Sequence, residues 1–293
     1  MRAMTRLQLQ PEATSRLAIW ARRVAAFAFV ASCLAVIIVR SDMLEIRPAL
    51  ATFGGALGMA AVALFLAFAA FVVIWREGLA GIGAALTAVA VSLVLLAYPA
   101  YFALKAYRLP WLYDITTDPI DPPRYEALAR LRVREANPST YPGLYAADQQ
   151  RAAYPGVGPL GTNVTPQVAY DAALAVVNKR RWRIVDARAP QTGRREARIE
   201  AVARTPIMGF RDDVMIRVRG EPDGTRIDAR SSSRYGAFDF GTNAARVRAL
   251  MDDIEDTLRA QKLERPPTPQ AFGKKKTPIV KKDRSKADSQ RKR

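Results

Sequence analysis

Three long apolar runs in the first third of this chain leave it few ways to fold. They cover 24–40, 49–75 and 79–104, and no charged residue lies inside any of them before Arg40. In hydrocarbon a backbone must satisfy its own N–H and C=O groups, so each run reads as a transmembrane helix. The first is the shortest. From Val24 to Val39 it reaches roughly 24 Å at ~1.5 Å per residue, less than a ~30 Å hydrocarbon core. Trp20 and the snorkelling stems of Arg22 and Arg40 make up the difference.

Val30-Ala31-Ser32-Cys33 has the look of a lipobox, and Arg22-Arg23 loosely suggests a twin-arginine signal. The apolar run continues past Cys33 to Val39, so the expectation is an intact helix with Cys33 as a buried small residue. Gly54 and Gly58 form a GxxxG spacing that allows close helix approach, and small residues are also simply common in such segments. Pro99 is expected to kink the third span. Tyr98, Tyr101, Tyr107, Trp111 and Tyr113 then read as an interfacial aromatic belt.

Charge sets the expected orientation. Residues 1–23, a basic lead, and the Arg76 turn hold six arginines; the other side holds Arg40, Arg47, Lys105 and Arg108. That bias puts the N-terminus in the cytoplasm and everything after the membrane region, 24–113, outside it. For a bacterial chain this means a multi-pass protein of the inner membrane with an extracytoplasmic C-terminal domain.

Beyond Tyr113 the chain becomes polar. Residues 114–164 are rich in proline and glycine and read as an exit linker and an irregular wrap, with a short helix at 124–135. Thr165-Pro166 is an N-cap followed by an N1 proline, and Ala169, Ala172, Ala173, Val176 and Val177 continue at helical spacing. Trp182 to Ala187 reads as a first strand. Glu196 to Arg204, Asp213 to Arg219 and Arg226 to Ser232 alternate apolar and polar residues, with a turn at Pro222-Asp223-Gly224. Asp239 or Thr242 caps a final helix whose stripe is Val247, Leu250, Met251, Ile254 and Leu258. The fold class is α+β: a three-helix transmembrane region, then a two-layer α/β sandwich over 165–263. Its antiparallel sheet of about four strands carries two helices on one face, and its charged face looks outward.

Composition narrows the chemistry. The chain has no histidine, which removes Ser-His-Asp and Cys-His catalysis and His-ligated zinc. The single cysteine forms no internal disulfide or thiolate cluster. No motif calls for a cofactor or a metal. Asp212-Asp213 is a weak cation candidate, because adjacent strand residues point to opposite faces.

The segments Arg230-Ser231-Ser232-Ser233-Arg234-Tyr235-Gly236, Asp239-Phe240-Gly241-Thr242-Asn243 and Arg246 resemble the bacterial DUF1499 family. Supporting cues lie at Asp212 to Arg217, Ile199 to Arg204 and Tyr154 to Pro159, and they begin near Asp114. The resemblance implies a membrane-tethered or lipid-anchored envelope protein. That family has no established activity, so it supplies no catalytic residue to carry over.

Candidate binding residues therefore come from side-chain chemistry alone. Arg230, Ser231, Ser233, Arg234, Asp239, Asn243 and Arg217 could form an anion site from forked guanidiniums, hydroxyls and a helix start. The competing reading is structural: serines that turn the chain, and arginines paired with Asp228 and Asp239. The tail, 264–293, is polybasic, with ten Lys/Arg between Lys274 and Arg293 against Asp283 and Asp288, part of a net +18. It reads as disordered and suited to anionic lipid or an envelope polymer. Without aromatic interleaving it does not suggest sequence-specific nucleic-acid binding. Other expected partners are the bilayer, a protein or a second copy of the chain. Two functions follow: a non-catalytic envelope protein that binds an anionic ligand or partner, or a hydrolase or transferase with Asp213 or Asp239 as base and Arg230 or Arg234 holding the substrate.

Overall fold

In the computed structural model, residues 13–41, 46–191 and 196–264 are described. The polybasic tail beyond Glu264 lies outside them. Three helices come first: α1 (Arg16–Ser41), α2 (Ile46–Glu77) and α3 (Ile82–Arg108). All three are long and apolar enough to cross a membrane. They run up, down and up. The segment before α1 pairs with the α2–α3 turn, where Ser15 N–H donates to Ala80 O at 2.9 Å and Ala80 N–H to Ala13 O at 3.0 Å.

Alanine makes the bundle. Ala18, Ala21, Ala25, Ala28 and Ala35 of α1 are buried, as are Ala56, Ala60, Ala63, Ala67 and Ala70 of α2. Spacings of three and four keep these small side chains on one stripe, so the backbones approach closely. The bulky residues, among them Phe27, Phe65 and Phe68, face outward. The GxxxG spacing is not part of this contact, because a Cβ at Gly54 or Gly58 would meet nothing within 4 Å. Cys33 is exposed on the bundle surface rather than buried, since the inward positions of its turn fall to Ser32 and Ala35. α1 begins eight residues ahead of the apolar run at Val24, which supplies the length that the run lacks.

The rest of the chain builds one six-stranded antiparallel sheet. Its strands are β1 (Asp114–Thr116), β2 (Leu160–Thr162), β3 (Arg183–Arg188), β4 (Glu196–Arg204), β5 (Arg211–Glu221) and β6 (Gly224–Ser233). The order is β1-β6-β5-β4-β3, and β2 shares with β1 the outer edge of β6. The register sets Ile199 beside Ile216 and Ile216 beside Ala229, so the apolar sides of the alternating strands coincide. α6 (Pro166–Lys179) and α7 (Thr242–Glu264) cover that side. Gly224 is needed where β2 crosses the hairpin: its φ is 150°, and a Cβ there would collide with the Thr162 carbonyl oxygen.

Residues 114–164 are more than a linker. They add β1 and β2 to the sheet, together with the short helices α4 (Ala127–Leu131) and α5 (Leu144–Ala153). They also close the charged face that the alternation pattern sends toward solvent. Tyr125 and Leu128 pack there on Val202 and Met215. Glu200, Asp213, Asp228, Arg230 and Arg217 are all buried beneath this strap.

Candidate functional site

The seven residues singled out in the sequence divide between the two faces of the sheet. On the helix face, Ser231 Oγ donates to Asn243 Oδ1 at 2.7 Å, and Asn243 Nδ2 donates to Ser233 Oγ at 2.9 Å and to Tyr113 O at 3.0 Å. Arg246 closes the group, donating to Ser231 Oγ at 3.0 Å and pairing with Asp212 at 2.5 Å. Asp239 ties the start of α7, accepting from Gly241 N–H at 2.8 Å and Asn243 N–H at 2.7 Å. Burial pushes its carboxyl up to about 6, against the opposing pull of those two bonds.

On the strap face Arg217, Arg230 and Arg234 each meet a carboxylate. Arg230 grips Asp114 with two bonds of 2.9 and 2.6 Å and donates to the carbonyls of Pro123 and Ser139. Its guanidinium lies 4.5 Å from the Tyr125 ring centroid and 5.6 Å from that of Tyr141. Burial drives Tyr125 well above the ordinary tyrosine range and Tyr141 up to about 12. Burial likewise raises Asp114, and Arg230 opposes the rise. Arg234 and Arg132 hold the two oxygens of Asp213 at 2.7 and 2.8 Å. Arg217, Arg219 and Arg226 surround Asp228 at 3.1 Å each, with Asp118 and Asp121 of the strap on their outer side. Glu200 accepts from the backbone N–H groups of Glu126, Ala127 and Leu128 and so caps α4 from the sheet.

Each carboxylate of this network is thus held by arginine or backbone donors. Neither arginine pairing follows the sequence-based alternative: Arg230 meets Asp114 and Arg234 meets Asp213, while Asp228 and Asp239 have other partners. Asp212 and Asp213 serve opposite faces. A general base must reach the proton it removes. Asp213 has a side-chain exposure of 0% and both oxygens are engaged; Asp239 is 7% exposed and binds backbone. This geometry favours a structural role over turnover at these carboxylates.

A second group of arginines lines a cleft at one end of the sheet. The cleft, of about 210 Å³, is lined by Arg180, Arg181, Trp182, Arg183, Val202, Arg204 and Arg211. Arg180 is held by Asp253 at 2.7 Å and lies 5.3 Å from the Trp182 ring centroid. Arg181 and Arg183 are exposed and have no ion pair among the described residues. Arg181 sits in the left-handed region, with φ 55°. It follows the end of α6, where Trp182 N–H donates to Val177 O and Arg181 N–H to Asn178 O, the double closure at which glycine is usual. The run Lys179-Arg180-Arg181-Trp182-Arg183 is the local signal for this cleft; read as the start of a strand, it is silent about the arginines that β4 and β5 bring beside it.

Two junctions fix the domain to the bundle at the end where this cleft lies. The β4–β5 connection reaches α1: Arg40 Nη1 donates to Pro206 O at 2.6 Å and to Ile207 O at 3.0 Å, and Arg204 Nη1 donates to Arg40 O at 2.9 Å. Met208 and Phe210 pack with Val39, Ala49 and Phe53. At the second junction an aromatic series runs from Phe102 of α3 through Phe240 and Phe238 to Trp111, with centroids 5.0, 4.4 and 5.7 Å apart.

Residues 114–254 match a family model described as a protein of unknown function, DUF1499. No curated protein matches the chain.

Proposed function

We propose that this chain, whose residues 114–254 belong to the DUF1499 family, is a membrane-anchored protein of the bacterial envelope that binds an anionic ligand or partner without turning it over. Its N-terminus lies in the cytoplasm, three helices span the inner membrane, and the α/β domain sits outside against the bilayer. The arginine cleft carries the reading. Five arginines line it, and Arg181 and Arg183 are exposed with no ion pair among the described residues. Arginine forks suit carboxylate and phosphate oxygens, so an anion is the complementary occupant. The Ser/Arg segment, whose side chains are engaged in the buried networks, is structural in this reading.

Two measurements test this. Reporters fused after Arg76 and after Thr116 should signal from opposite compartments; the same compartment for both removes the three-span arrangement. Calorimetric titration of the full chain in an uncharged detergent with inorganic pyrophosphate should show binding that Arg181→Gln with Arg183→Gln abolishes. Equal binding by the parent and the variant refutes the cleft as the anion site.

A further inference from the structure

We infer that the occupant of the arginine cleft is the phosphodiester headgroup of an anionic phospholipid in the leaflet beside it. This rests on the anion-binding reading above and adds where the anion comes from. The first observation is position. Arg40 ends the apolar run of α1, so its carbonyl marks the level at which hydrocarbon gives way to headgroups. Arg204 lines the cleft and donates to that same carbonyl at 2.9 Å. The cleft therefore sits at headgroup height, with no need for the domain to bend toward the bilayer.

The second observation is composition around the cleft. Ile207, at the tip of the β4–β5 connection, is 50% exposed beside Met208 and Phe210, which already rest on the helices. An apolar tip next to a cationic recess matches the two halves of a phospholipid. Zwitterionic headgroups also carry an ammonium, which needs an anionic or aromatic partner. Trp182 is already stacked with Arg180 and no carboxylate lines the cleft among the described residues. Arg181 and Arg183, exposed and with no ion pair among the described residues, thus favour a headgroup of net negative charge.

The third observation is Arg181 itself. A left-handed residue without glycine's freedom costs stability, of order 1–2 kcal/mol. The chain places an arginine at the position where glycine closes such a helix most easily, and that arginine faces the cleft with no ion pair among the described residues. A retained local strain at a cationic recess fits selection for the side chain rather than for the turn. Arg181→Gly should then separate the two: the fold holds or gains stability while the ligand is lost.

The experiment uses the full chain in a non-ionic detergent, with phosphatidylglycerol and phosphatidylcholine added in equal amounts, read by native mass spectrometry. The parent should retain phosphatidylglycerol preferentially. Arg181→Gly with Arg183→Gln should weaken that retention about thirtyfold, the effect of two basic side chains at an anionic surface. The melting temperature of Arg181→Gly alone should be unchanged or higher, which shows that the loss is not unfolding. The basic tail is identical in all samples, so the difference isolates the cleft. Equal retention of both lipids by the parent, or retention of phosphatidylglycerol unchanged by the double substitution, overturns the assignment. A parallel titration with inorganic pyrophosphate separates the two readings. If pyrophosphate binding depends on Arg181 and Arg183 but lipid retention does not, the lipid assignment falls and the anion site stands; if neither depends on them, both fall.

Discussion

Replacing Arg230 by methionine should release the strap from the sheet. The arginine is 1% exposed and is the point where β6, β1 and residues 123–141 meet. Methionine keeps the length of the stem but removes two bonds to Asp114, of 2.9 and 2.6 Å, and those to Pro123 O and Ser139 O. Asp114 then remains as a buried carboxylate with a side-chain exposure of 0%. Breaking a buried pair from one side costs about 3–5 kcal/mol, because the remaining charge has no partner. Adding Asp114→Asn removes that charge. The double variant should therefore be less damaged than the sum of the singles, with a coupling of about 2 kcal/mol.

The effect should also depend on pH in a defined direction. Burial already raises Asp114 above its unfolded value even with Arg230 present. Without the arginine its folded value climbs further, so protonation favours the folded state and the deficit of Arg230→Met shrinks as the pH falls. Urea unfolding of the full chain in detergent micelles, followed by near-UV circular dichroism, gives the energies. Trypsin gives the location, because Arg124, Arg130 and Arg134 lie on the strap and should be cut sooner. A loss under about 1 kcal/mol with an unchanged tryptic pattern would refute the argument that this pair fastens the strap.

Two further predictions concern single carboxylates. Glu200→Gln replaces an acceptor of Glu126, Ala127 and Leu128 N–H groups by a side chain with one acceptor oxygen and an opposing amide. It should cost about 2–3 kcal/mol and abolish slow amide exchange at 126–128; unchanged protection there would show that α4 needs no cap from the sheet. Asp239 behaves oppositely to most paired carboxylates. Its folded value of about 6 exceeds the ordinary 3.8 of an unfolded chain, so its contribution is fully present below the unfolded value and is lost as pH rises through the folded one. Relative to Asp239→Asn, the parent should lose about 3 kcal/mol across that interval, and a pH-independent difference between the two would rule this out.

Much of the architecture is legible in the residues. The apolar runs announce α1 to α3, and the alternation in β4, β5 and β6 fixes both the strands and the side that meets α6 and α7. Three things escape such a reading, for different reasons. β1 and β2 are three residues each, too short for any period to show, and exist because β6 offers an unpaired edge. The charged side of the sheet follows the pattern of a solvated face, yet it is buried, because Asp114, Asp118 and Asp121 arrive from about a hundred positions earlier to neutralise it. Pairing at that separation leaves no local trace. The arginine cleft is half visible: Arg180, Arg181 and Arg183 are adjacent in sequence, while Arg204 and Arg211 join them only through the register of β4 and β5.

The two attachments between domain and helices have a mechanical consequence. A globule hung from one flexible tether samples every heading above its membrane. Here Arg40 with Met208 forms one foot and Phe102 with Phe240 another, on different helices. Two feet fix a heading, so the sheet turns with the bundle, and any tilt that a thinner or thicker bilayer imposes on α1 and α3 is handed to the β4–β5 tip as a change in its depth.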